Sequence, residues 1–279
     1  MATTIEHQTR TASVDLERLK SKQREVWGAG DFAVVARHTV FPGELLCEAA
    51  DVRAGKRVLD VATGSGNAAL SAARRGAIVT GVDYVPELLD WGRKRAAAEQ
   101  VAVDFEEADC EALPLANGSY DIVLSMFGAM FAPDQRRAAD ELVRVCCQNG
   151  RIALANWTPD GFWGRVFALQ SKYIPPAAGL TPPTAWGKED HLLRLLGGRV
   201  RVERCRLRYA DFSYTSAEDW LEFFATYFGP ILKAFERLDD HMRRAFAAEL
   251  KDLTEQFNSA TDGGLVVHAE YLEVVLTKL

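Results

Sequence analysis

Val58-Leu59-Asp60-Val61-Ala62-Thr63-Gly64-Ser65-Gly66-Asn67 is the stretch from which the fold is read. Its first half is an apolar run of strand length, interrupted only by the acid Asp60. Its second half is a glycine turn, and the Ala-rich segment Ala68–Arg75 that follows reads as a helix. Gly64 and Gly66 lack side chains, so the chain can turn tightly there and a ligand can lie against bare main chain. A helix that begins at such a turn presents unpaired N–H groups, and the positive end of its dipole, to whatever occupies the turn. The stretch predicts a site for a nucleotide-like ligand at the end of a buried strand.

Outward from this stretch, strands and helices alternate. Ala77–Asp83, Val101–Ala108, Tyr120–Phe127 and Arg151–Trp157 read as further strands. Pro86–Gln100, with proline in its first turn, and Pro133–Cys147, with Ala138, Leu142 and Val145 on one face, read as helices. This alternation predicts an α/β fold: a parallel sheet joined by right-handed crossovers, with helices on both faces. Upstream, Ser13–Gly28 predicts an amphipathic helix stopped by Gly28 and Gly30. Asp31 caps a second helix through His38, and Pro42-Gly43 begins a third through Ala50. Downstream, Lys188–Leu196 reads as a helix, and Val200–Tyr214 and Leu265–Leu279 as long strands. Two stretches break the rhythm: 158–187, rich in Pro, Gly and aromatics, and 216–259, helical with Trp220, Phe223, Phe224 and Tyr227 on one face. We expect a single domain over 1–279. It would have N-terminal lid helices in 1–51, a cofactor-binding core in 52–157, and cap insertions 158–187 and 216–259 over the sheet's carboxyl edge.

Composition narrows the class of ligand. The net charge of −6 argues against a nucleic-acid partner, which calls for a basic excess. Arg136-Arg137 and Arg199–Arg208 are the densest basic runs, and the second alternates with apolar residues along a strand, as a solvated face does. The five cysteines, Cys47, Cys110, Cys146, Cys147 and Cys205, are scattered without metal-ligand spacing. No metal site, a reduced thiol set and a cytoplasmic protein are the expectation. Met1–Arg10 has no apolar signal core and reads as a loose tail, and no apolar run is long enough to span a membrane.

Gly64-x-Gly66-x-x-Ala69 satisfies the dinucleotide fingerprint, with Asp83 at a suitable distance to hold a ribose diol. Alone, this also fits a nicotinamide or flavin enzyme. Four further features move the reading: Asp60 inside the strand before the turn, Asp109-Cys110 after the third strand, Ser119-Tyr120-Asp121 opening the fourth, and Cys147-Gln148-Asn149-Gly150-Arg151 turning into the fifth. In this order, over Leu45–Trp157, they resemble the class I S-adenosylmethionine-dependent methyltransferases, in particular the small-molecule group with the ubiquinone/menaquinone-type C-methyltransferases (methyltransferase type 11). The resemblance implies a Rossmann-like seven-stranded, mostly parallel sheet with an antiparallel last strand, into which Val200–Tyr214 and Leu265–Leu279 fit as the final two. It also implies S-adenosyl-L-methionine as cofactor and S-adenosyl-L-homocysteine as product. Main chain at Ala62 and Gly64, in the turn with Gly66, would contact the methionine part, with Asp60 supporting the loop. Asp83 would take both ribose hydroxyls, Tyr84 would flank the adenine, and Asp109 and the Cys110 N–H would meet the adenine edge. Ser125 and Met126 would lie beside the reacting methyl. Ala62 stands where the family has its first motif glycine, so the turn is more crowded.

Methyl transfer from a sulfonium is an in-line displacement with a neutral leaving group; the protein must align the nucleophile and keep water out. A base is needed only if the nucleophile loses a proton. His38 is the candidate base if its helix folds over the cleft, and a structural histidine otherwise. Trp27 and Phe32 bracket Gly28–Gly30, as a lid over the cofactor or as a staple between the first two helices. Trp157, Phe162, Trp163 and Tyr173, with Trp186, Trp220 and Tyr227, are candidates for an acceptor pocket or for the core of the cap. The expectation is methyl transfer to a small, largely apolar or aromatic acceptor, with oxygen, nitrogen or carbon as nucleophile. The alternatives are cofactor-dependent chemistry other than methyl transfer, such as cyclisation, and a non-catalytic binding module.

Overall fold

The computed structural model describes residues 15–279. Met1–Arg10, Ser13 and Val14 lie outside the described residues. Seven strands form one sheet: β1 (Arg57–Val61), β2 (Ile78–Asp83), β3 (Asp104–Glu107), β4 (Tyr120–Met126), β5 (Cys146–Trp157), β6 (Val200–Tyr214) and β7 (Leu265–Lys278). Their order is β3-β2-β1-β4-β5-β7-β6. β1 to β5 pair in parallel, and β7 runs antiparallel to both β5 and β6. This is the seven-stranded Rossmann-like sheet expected from the sequence, with β7 as its reversed strand. The chain winds toward β3 on one side of β1 and toward β5 on the other. The carboxyl ends of β1 and β4 therefore flank the switch point, where open α/β sheets bind ligands.

Val58, Leu59 and Val61 of β1 are fully buried, as are Val123 and Leu124 of β4 and residues 152–155 of β5. Such continuous apolar runs mark strands covered on both faces. Helices α4 (Asn67–Arg74), α5 (Pro86–Glu99) and α6 (Gln135–Val145) connect successive parallel strands. Before the sheet come α1 (Leu16–Trp27), α2 (Phe32–Val35), a 3-10 turn (Ala36–Thr39) and α3 (Val40–Ala49). After β5 come α7 (Phe162–Tyr173) and α8 (Glu189–Leu196), and between β6 and β7 lie α9 (Ala217–Tyr227), α10 (Gly229–Arg237) and α11 (Asp240–Gln256). No described helix is long and apolar enough to cross a membrane.

Several boundaries differ from the sequence expectation for local reasons. The second helix does not run to His38: it tightens into the 3-10 turn after Val35, and α3 starts at Val40. Pro42 has no N–H to bond back to His38, so it belongs in the first turn of a new helix rather than inside a continuous one. β3 is shorter than Val101–Ala108 because Val101 closes α5, donating its N–H to Ala96 beyond a left-handed Gln100. Residues 158–187 hold a full helix, α7, where only an irregular stretch was expected. The helical stretch 216–259 breaks at Phe228-Gly229. A side chain at Gly229 would fall 1.9 Å from the Val26 carbonyl, so α10 begins in direct backbone contact with the end of α1.

Candidate active site

The turn after β1 is shaped by left-handed backbone at three alternate positions: Ala62 (φ 53°), Gly64 (φ 56°) and Gly66 (φ 88°). Asp60, 2% exposed, braces it from beneath. One of its carboxylate oxygens accepts from the Thr63 hydroxyl (2.6 Å) and the Ala69 N–H (3.0 Å). Burial pushes the Asp60 carboxyl up to about 7, against those two hydrogen bonds. Gly66 caps α4, and a side chain there would come within 3.0 Å of the Phe105 ring. A side chain at Gly64 would meet nothing nearer than the Phe32 ring at 3.7 Å. Asp60 and Gly66 thus support the turn from outside the cavity, whereas Ala62, Gly64 and Phe32 line it. The extra methyl at Ala62 is matched across the site by Gly128, whose own Cβ would lie 2.6 Å from it and 2.4 Å from the Ala62 carbonyl.

Asp83 ends β2. One oxygen accepts from the Gly64 N–H (2.9 Å) and the other from the Val85 N–H (3.0 Å), which leaves a lone pair on each. Burial raises its carboxyl to about 6. Tyr84 lies beside it, with the Arg24 guanidinium 5.5 Å from the ring centroid. Asp109, after β3, is already engaged: Lys20 of α1 pairs with it at 2.6 Å and with Glu111 at 2.6 Å. Asp109 also accepts from the Glu111 N–H, and Glu111, buried, accepts from the Asp134 N–H. Burial pulls the Lys20 ammonium down, and the two carboxylates more than offset it.

Cys110, Met126 and Trp27 also line the cavity. Ser125 does not: its hydroxyl donates to the Val61 carbonyl (2.8 Å) and accepts from the Ala129 N–H (3.0 Å), tying β4 to β1. His38 is likewise outside. It stacks on Phe212 (5.0 Å) and shares a 2.7 Å hydrogen bond with the Tyr214 hydroxyl, and burial, then Arg37, depresses its pKa to about 4. Of the two readings of His38, a base in the cleft or a structural histidine, its position behind Phe212, which lines the cavity, matches the structural one.

Of the aromatic candidates, Trp157 and Trp163 face the cavity. Phe162, Trp186 and Trp220 are fully buried and build the core of the cap. Tyr173 donates its hydroxyl to Glu249, and Tyr227 gives its carbonyl to the Asp31 N–H rather than its ring to the site. Five rings that sequence reasoning missed complete the wall: Phe127, Phe131, Phe167, Phe212 and Phe228. Phe127 carries a positive φ (55°) and lies flat on Trp157, with centroids 3.8 Å apart and planes within 5°. A bulky residue at positive φ is strained and marks a position the surroundings hold in place. The sequence signal was Phe127-Gly128 directly after the fourth strand. Lys20 and Gln23 also reach the cavity from α1.

The cavity is polar under the ends of β2 and β3 and aromatic beyond β4 and β5. Such a site can hold a polar nucleoside at one end and an apolar molecule at the other.

Comparison with known proteins agrees with this geometry. A methyltransferase domain family matches residues 59–154. An uncharacterized protein of Mycobacterium tuberculosis is 38% identical over 269 residues, covering 94% of this chain and 96% of its own length. The demethylmenaquinone methyltransferase of Deinococcus radiodurans is 38% identical over 179 residues, covering 60% of this chain and 74% of that one. Among solved structures, the YcgJ protein of Bacillus subtilis shares the fold, with a TM-score of 0.57 at 20% identity over 87% of this chain and 98% of that one. With a 38% identical methyltransferase matched over most of its length, and the ordered strand-end residues to go with it, the chain belongs to the class I S-adenosylmethionine-dependent methyltransferases.

Proposed function

We propose that the cavity holds S-adenosyl-L-methionine across the β1–β2–β3 strand ends and a small, largely apolar acceptor against the aromatic wall, and that the enzyme methylates that acceptor. The observation that carries this reading is Asp83: a buried carboxylate whose oxygens each take one main-chain N–H and each keep a lone pair for a vicinal diol. The residues fit the cofactor elsewhere as well. Space beside Gly64 is open apart from the Phe32 ring, and Tyr84 offers an aromatic face beside Asp83. When bound, the cofactor supplies an electrophilic methyl on sulfur. The chain's own part is to orient and to exclude water. Ala62 and Gly64 offer main chain, Asp109 and Cys110 line the nucleoside end, and Met126, Phe127 and Trp157 wall the other. In this reading the described part of the 1–51 segment, residues 15–51, acts as the lid, and 158–187 and 216–259 as the cap.

Calorimetry with S-adenosylhomocysteine tests it. Two hydrogen bonds to a charged carboxylate contribute about 1.5–3 kcal/mol each, so Asp83→Asn should weaken binding at least tenfold with the fold intact by circular dichroism. Binding of a nicotinamide dinucleotide in place of S-adenosylhomocysteine would sink the reading.

A further inference from the structure

Buried polar atoms in folded proteins are almost always hydrogen-bonded, so each exception calls for a reason. Among the described residues, two that line the cavity carry such an exception: Asn67 at Oδ1 and Trp163 at Nε1. Asn67 opens α4 at the turn after β1, and its amide nitrogen donates to the Ala36 carbonyl and the Thr39 hydroxyl. Trp163 belongs to α7 and stands in the aromatic wall, 3% exposed. The rings of Trp157, Phe167, Phe212, Phe224 and Phe228 pack around it, with centroids between 5.1 and 6.1 Å from its own. Such a setting holds the indole still but offers its N–H ring faces alone, which are weak acceptors. Trp186 and Trp220 leave their N–H groups unpaired too, but neither lines the cavity. Of the three, Trp163 is the one that borders space a ligand can fill. Its N–H gave up water when the chain folded. An oxygen brought to it therefore displaces no water from the donor, and the bond forms where competing water is scarce.

We propose that Trp163 is a specificity-determining residue: its indole N–H donates to an uncharged oxygen of an otherwise apolar acceptor, such as a ketone, ester or aryl ether. The proposal rests on the placement of the acceptor against the aromatic wall, and adds the polar group that the acceptor carries. Ring faces alone let a flat molecule slide and turn, whereas one hydrogen bond from a fixed indole sets which way it lies. Orientation is what an in-line displacement demands of the nucleophile. A hydrocarbon analogue would fill the same space and leave the donor unpaired.

The test uses a matched pair of probes on protein saturated with S-adenosylhomocysteine. 2-Acetylnaphthalene and 2-isopropenylnaphthalene have nearly the same shape and differ by a carbonyl oxygen against a methylene carbon. Trp163→Phe should weaken 2-acetylnaphthalene about tenfold, because it strands a buried carbonyl, and leave 2-isopropenylnaphthalene within about twofold. Lost packing alone would weaken both alike. Infrared spectroscopy of isotope-labelled 2-acetylnaphthalene gives a second reading on the unaltered protein. Its bound carbonyl stretch should fall below its position in cyclohexane, and return toward that position in Trp163→Phe. Equal losses for the two probes overturn the proposal, as does a bound carbonyl band at the cyclohexane position. Failure of both probes to bind beside S-adenosylhomocysteine overturns the acceptor placement instead, and failure of S-adenosylhomocysteine itself overturns the cofactor placement.

Discussion

At the scale of single residues, the site is set by pairs that accommodate one another. Ala62 sits at φ 53°, where a Cβ costs about 1–2 kcal/mol, part of it recovered by its restricted unfolded state. Ala62→Gly should therefore stabilise the protein by about 0.5–1 kcal/mol in urea titration. Gly128→Ala should do the reverse, since its methyl would land 2.4 Å from the Ala62 carbonyl; overpacking of this kind costs about 1–3 kcal/mol. His38 gives a pH signature. Its folded pKa of about 4 lies below the unfolded value near 6.5, so the unfolded chain binds the extra proton. Its contribution to stability is full above the unfolded pKa and is lost as pH falls toward the folded one. His38→Gln should flatten that part of the acid limb in melting curves taken from pH 7 to pH 4, and leave any rate profile from pH 7 to pH 9 unbent. Asp60, Ala62, Gly64 and Asp83 were legible because strand ends and glycine turns have local signatures. Which of many aromatics face the cavity was not: Trp220 in the core and Trp163 on the wall share the same composition and helical context, and only tertiary packing separates them.

Among the elements, α1 is the one whose position most needs explaining, because none of its residues is buried. An amphipathic pattern announced a helix there but not its berth. Lys20 docks it to Asp109 and the buried Glu111, Gln23 donates to the Phe131 carbonyl, and Trp27 meets Phe32, Phe131 and Phe228 edge to face. Removing one partner of a buried ion pair strands the other. Lys20→Met should thus lose about 2–4 kcal/mol in chemical denaturation. Pairing it with Glu111→Gln should recover part of that loss in a double-mutant cycle. Additive losses would show that the contact carries no coupling. The helices α4, α5 and α6 followed from periodicity and glycine or proline punctuation. The 3-10 turn before α3 did not, because the signal was a hydrogen bond that Pro42 cannot make, and β3 ran short because its first residues belong to the end of α5.

Across the whole molecule, the sheet order places the polar strand ends on one side of the switch point and the aromatic ones on the other. The wall draws on Trp27 and Phe32 from the start of the described chain and on Phe212 and Phe228 from near its end. Ligand binding should therefore be felt by both at once. Saturation with S-adenosylhomocysteine at about 100 times its dissociation constant adds about 2.7 kcal/mol to stability. Hydrogen exchange should slow together in α1 and at Phe228, between α9 and α10, and stay unchanged in α8, which does not touch the cavity. Slowing in α8 alone would contradict the proposed site. The contact of Gly229 with the Val26 carbonyl has a further consequence, one of timing. A chain made from its amino terminus releases α1 into solvent some two hundred residues before its seat on α10 exists. The pairs of Lys20 with Asp109 and Glu111 can form well before that, so synthesis divides the docking of α1 into an early polar half and a late half that waits for Gly229.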